Sequence, residues 1–218
     1  MTLAVALRNR VTLASLAIIE APAVALLLER KEVQHYRAFR QMTDIYFAAF
    51  KNGNAEAIEA MINFYGGAGT FASWPPRVRT YAVATTPVNI LDWASAYSFP
   101  LSVKALARVQ VPTLVILGGA SHPAMQRTNE LVSECMSKAT LATIEGAAHF
   151  MIATHASEVA RLLAQHVHRA ERASGTRSGG TLSNHDKAGN VDCRISVTKQ
   201  SSTGKRFQGL REPPSEYR

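Results

Sequence analysis

The chain has 218 residues, 47% of them hydrophobic and 18% charged, which excludes a disordered polar chain and fits one domain with an appendage. The formal net charge is +8, but from Glu171 onward nine Lys or Arg stand against five acids, so half of the excess lies in the last fifth of the chain. Its two cysteines, Cys135 and Cys193, lie too far apart for a metal-ligand spacing or a disulfide framework, and they predict a reducing, cytoplasmic setting.

In chain order, TLAVALRN (residues 2–9) combines good helix formers with little β-branching and predicts the end of a helix. The run VTLASLAIIEAPAVALLL, Val11 to Leu28, follows Arg8 and Arg10 and is about as long as a membrane span, and its APAVA offers small residues for signal cleavage. Glu20 argues against both readings, because a central carboxylate costs about 2.5–3.5 kcal/mol in a bilayer. Pro22 follows at once. A buried parallel strand ending at Glu20, then a turn at EAPA, accounts for the same residues, so no membrane partner is expected.

Residues 29–108 read as a helical insertion. YRAFRQMTDIYFAAFKNG has helical periodicity and stops at Asn52-Gly53; NAEAIEAMINFYGG is a second helix ending in glycine. TFASWPPRVRTYAVA begins a third, with prolines near its first turn, and PVNILDWASAYSF reads as a separate short segment. LSVKALARV leads into VPTLVILGG, Val111 to Gly119, the clearest strand of the chain: apolar, β-branched and ended by two glycines. HPAMQRTNELVSECMS is a helix, ATLATIEG the last strand, and a final helix is expected from about Phe150 to Ala170. The segment 171–218 is rich in Ser, Gly and charge and reads as a disordered basic tail; with no nucleic-acid reader motif there, no nucleic acid partner is expected.

Strands alternating with helices predict an α/β fold with about three parallel strands and right-handed crossovers. Function in such sheets sits at the carboxyl ends of the strands. Glu20, the turn from Gly118 to His122, and His149 all fall there. His149 lies in IEGAAHFM, between the last strand and the last helix, where an imidazole is suited to take a proton from a hydroxyl. The alternative is a histidine that only caps the final helix.

The pattern VPTLVILGG…ATLATIEGAAHF with its final helix resembles the C-terminal half of an α/β-hydrolase, whose last strand is followed by a G-x-x-H, here Gly146 to His149. RVTLASLAIIEAPA resembles that family's sixth strand, and FYGGAGTFASWPPRVR a stretch of its cap domain near the C–C-bond and ester hydrolases. The resemblance spans roughly Thr2 to Arg169. It implies residues 1–28 and 109–170 as hydrolase core, residues 29–108 as cap, hydrolysis of a small-molecule ester or C–C bond through a Ser-His-acid mechanism, and no cofactor or metal.

The family's G-x-S-x-G nucleophile elbow does not occur in these 218 residues, and the chain is expected to be truncated ahead of Met1 and inactive alone. The acid usual after strand seven is also missing, since Ala120, Ser121 and His122 occupy that turn. Some family members carry the acid after strand six, which the resemblance places at Glu20. The alternative is a strand-end glutamate bonded to nearby backbone. Glu145 is expected to face solvent. Ser121 and His122 are candidates for a pocket floor or for simple turn residues. Trp74 and Trp93, with Asp92, are candidates for pocket walls, against plain burial of both indoles. A sheet lacking its neighbour beyond Glu20's strand predicts self-association through the exposed edge. A non-catalytic small-molecule binding module that keeps the cap pocket is the alternative function.

Overall fold

The computed structural model describes residues 2–8 and 10–175, all within one unit spanning Met1–Gly180. The expected tail falls outside them except for its start, where the last helix continues to Gly175 rather than stopping at Ala170. Three strands form the sheet: β1 (Leu16–Ile19), β2 (Thr113–Gly118) and β3 (Ala139–Ile144), in the order β1-β2-β3 with both pairs parallel. Every residue of β2 is buried, as the central strand of a sheet covered on both faces must be. Leu114, Val115, Ile116 and Leu117 each contribute about 1.5–3 kcal/mol by leaving water.

The helices are α1 (Thr2–Arg8), α2 (Val24–Glu29), α3 (Val33–Lys51), α4 (Ile58–Gly66), α5 (Thr70–Ser73), α6 (Pro76–Ser98), α7 (Val103–Ala107), α8 (Pro123–Glu134), α9 (Met151–Thr154) and α10 (Ala156–Gly175). The first strand is shorter than the apolar run that encodes it: Val11 and Thr12 are exposed ahead of it, and the backbone pairs with β2 only from Leu16. A short helix, α2, lies ahead of residue 29, where VALLLE buries Val24, Leu26 and Leu27 as a helical turn.

Helices α3 and α4 bury the same spacing, Phe39, Met42, Thr43 and Tyr46 on one and Ile58, Met61, Ile62 and Tyr65 on the other. That i, i+3, i+4, i+7 stripe lies along one helical face. The two segments expected around Pro87 form one helix, α6. Pro87 cannot donate to the carbonyl one turn back, which weakens a helix interior. Tyr46 of α3 braces that turn, its hydroxyl donating to Asn89 Oδ1 (3.1 Å) and lying 3.5 Å from the Thr86 carbonyl. The expected single last helix is broken at His155 into α9 and α10.

Helix α10 carries a buried imidazole, His166, whose Nε2 has no hydrogen-bond partner among the described residues. Burial, followed by the nearby Arg169, pushes its pKa below the usual histidine value against a hydrogen bond with the Leu16 backbone. The unfolded chain therefore takes up this proton at a higher pH than the folded one. Stability from the neutral imidazole is complete above about pH 6.5 and falls as pH drops below that toward the folded value. Thermal unfolding at about pH 7.5 and pH 5.5 should show a larger fall in Tm for the wild type than for His166→Met. Equal falls would refute the assignment.

Candidate active site

The parallel ladder ends in three adjacent turns. After β1, Glu20 N donates to Ile116 O (3.1 Å), and the chain turns with Glu20 at φ 44°, in the left-handed region. Asn129 of α8 holds that turn from behind: its Oδ1 accepts from Ala21 N (2.9 Å) while its amide donates to Met125 O (2.9 Å). After β2, Gly119 N donates to Ile144 O (2.9 Å) and Ala120 N to Ala147 O (2.9 Å), which ties the second turn to the third. After β3, Gly146 takes φ 70° and sends the chain into the loop that carries His149. Gly118 lies so close to this loop that an added Cβ would stand 2.3 Å from the Ala147 oxygen.

This geometry brings Glu20 and His149 together. Glu20 Oε2 lies 2.8 Å from His149 Nδ1, across 129 positions of sequence. The glutamate side chain has no exposed surface, whereas a quarter of the imidazole is open. Glu20 Oε1 is also engaged, accepting from Gly118 N (2.8 Å) and from the Ser121 hydroxyl (2.5 Å). A buried carboxylate is tolerated when its lone pairs are met in this way. As an acceptor, Glu20 assigns the hydrogen to Nδ1 and leaves the Nε2 lone pair of His149 free to take a proton.

Aromatic rings from the insertion close over the pair. Tyr65, the last residue of the α4 stripe, stacks on His149 with centroids 4.1 Å apart and planes 20° apart. Burial, then Tyr97 and the negative Glu20, push the Tyr65 phenol well above its usual pKa. Phe150 meets His149 edge-on at 5.4 Å, and Trp74 meets Phe150 edge-on at 4.9 Å.

The other expected residues fall around this centre in different roles. Ser121 is buried, with its hydroxyl directed at Glu20. His122 caps α8, Nδ1 accepting from Ala124 N (3.1 Å), and stacks on Phe64 at 4.1 Å. It also lines a cleft of about 270 Å³ with Ala38, Gln41, Met42, Ile45, Ala60 and Phe64. Burial, with His35 nearby, lowers its pKa. Trp93 is buried beside Tyr65, Phe39 and Tyr97 and is absent from that cleft, as is the half-buried Trp74. Asp92 and Glu145 are exposed. Tyr65, Gln126 and Asn129 also belong to this centre, and no motif in the sequence marks them. Tyr65 had a signal, since it completes the apolar spacing of α4. Among the described residues no group of three or more His, Cys, Asp or Glu is placed to hold a metal ion. No helix among them is long and apolar enough to cross a membrane.

No family model matches the chain, and no curated protein matches it. The chain is similar to solved α/β-hydrolase structures. These include a proline iminopeptidase from Mycobacterium smegmatis (TM-score 0.49, 19% identity, 79% of this chain and 62% of that one). A bromoperoxidase from Bacillus anthracis gives a TM-score of 0.46 and 21% identity over 57% of this chain and 48% of the other. An α/β hydrolase from Sphaerobacter thermophilus gives 0.40 and 18% over 72% and 61%. The chain thus spans about half to three fifths of the length of these relatives.

Proposed function

We propose that this chain supplies the base and its orienting acid to a hydrolytic site of the α/β-hydrolase type, and that the attacking hydroxyl comes from outside these 218 residues. The observation that carries this reading is the pairing of a partly open His149 with a fully buried Glu20 whose other oxygen is already held. In this reading His149 Nε2 takes the proton of a serine hydroxyl as its oxygen bonds to the substrate carbonyl carbon. The imidazolium then returns that proton to the leaving group, and water releases the acyl group by the same route. Glu20 keeps the ring oriented and offsets its charge while it is protonated. Ester or C–C cleavage of a small molecule is the reaction class.

p-Nitrophenyl acetate is activated enough for the His149 Nε2 lone pair to attack its carbonyl directly, with no serine hydroxyl needed, so its hydrolysis by this chain tests the base. The rate that disappears in His149→Ala should fall by roughly ten-fold or more in Glu20→Gln. Equal rates for all three proteins would overturn the pairing as a base. A fluorophosphonate probe should label no serine of this chain, and labelling of one would place the hydroxyl within it.

The cleft beside His122 favours a second reading, a binding module for small apolar acids or esters. It predicts a thermal shift with such ligands and no turnover; a screen without any shift removes it.

A further inference from the structure

We propose that Ser121 is a positioning residue for His149, acting through Glu20. This inference rests on the reading of His149 and Glu20 as base and orienting acid. A carboxylate that is to orient an imidazole must present one oxygen to Nδ1 and not rotate away. Glu20 meets that demand by dividing its oxygens. Oε2 faces His149, and Oε1 is pinned by Gly118 N at 2.8 Å and Ser121 Oγ at 2.5 Å. With both donors in place, turning the carboxyl group would break two hydrogen bonds to a side chain that has no exposed surface.

The turn that presents Ser121 is itself held. Gln126 of α8 spreads its amide under it, donating toward Gly118 O (3.2 Å), Gly119 O (2.8 Å) and Ser121 O (3.0 Å). Ser121 N returns to Gly118 O at 3.1 Å. A hydroxyl on a fixed turn loses little freedom on bonding, so most of its bond energy goes into holding the carboxylate. Ser121 is 4% exposed, which leaves Glu20 as the partner its hydroxyl serves. A side chain that only started helix α8 would have no reason to point across to β1. That capping is done by His122.

The test is proton NMR of the full chain, following the His149 Nδ1–H resonance, identified by its loss in His149→Gln. In Ser121→Ala the folded protein should keep its circular dichroism while this proton exchanges with water at least ten-fold faster. Ser121→Thr, which retains a hydroxyl, should restore slow exchange. A folded Ser121→Ala chain with unchanged exchange overturns the role of Ser121. If that variant does not fold, the wild type decides: the Ser121 hydroxyl proton should itself be slow to exchange, and a freely exchanging hydroxyl overturns the proposal. Glu20→Gln separates the two levels. Persistence of the slow Nδ1–H signal there defeats the underlying pairing, whereas its loss there with no effect of Ser121→Ala defeats only the positioning role.

Discussion

Glu20→Ala is expected to lower the free energy of unfolding by about 2–6 kcal/mol, because two buried donors lose their acceptor. Glu20 accepts three hydrogen bonds, from Gly118, Ser121 and His149. Alanine leaves the Gly118 N–H and the Ser121 hydroxyl inside the protein without an acceptor, at about 1–3 kcal/mol each. The backbone term is unchanged, since both residues bear a Cβ in the left-handed conformation at φ 44°. Glu20→Gln keeps one acceptor oxygen for the two donors and should cost less, while presenting an amide N–H to His149. Urea unfolding of the three proteins measures the difference. A Glu20→Ala chain within about 0.5 kcal/mol of wild type would show that the carboxylate is not holding these turns together.

Gly118→Ala is the second large effect expected. The new methyl would lie 2.3 Å from the Ala147 oxygen and 2.8 Å from Ser121 Oγ. Overpacking usually costs about 1–3 kcal/mol, and this site should reach the upper end because the first obstacle is backbone. Ala147 cannot yield alone, as its carbonyl accepts from Ala120 N. Movement there shifts the loop that carries His149, so the variant should lose the His149-dependent ester hydrolysis as well as stability. Wild-type Tm and wild-type hydrolysis together would refute the close approach.

The sheet was legible because its strands are encoded by continuous apolar runs between turn signals, as in TLVILGG. The convergence of Glu20, the Gly118–His122 turn and His149 followed from parallel order alone, since parallel strands place their carboxyl ends side by side. The pairing partner of Oε1 was not legible. Ser121 reads equally well as a turn residue, and only the register of β1 against β2 sets its hydroxyl on Glu20. The helices of the insertion are legible in its apolar spacing, but its joints are not. Pro87 looked like a boundary, and a brace from Tyr46, forty residues away, is invisible to local pattern. The two tryptophans illustrate the same limit, because burial against other rings and exposure in a pocket use the same residue type.

The Glu20–His149 bond joins residues 129 positions apart, with the whole helical insertion strung between β1 and β2. Closing so long a loop is entropically costly, while the contact between α3 and α4 is nearly local. On refolding, the hairpin of α3 and α4 is therefore expected to form early, and the carboxylate to meet the imidazole only once the strands have paired from Leu16 to Gly118 and across to Ile144. Stacking of Tyr65 on His149 is then a late event, and its optical signature should lag the recovery of helix.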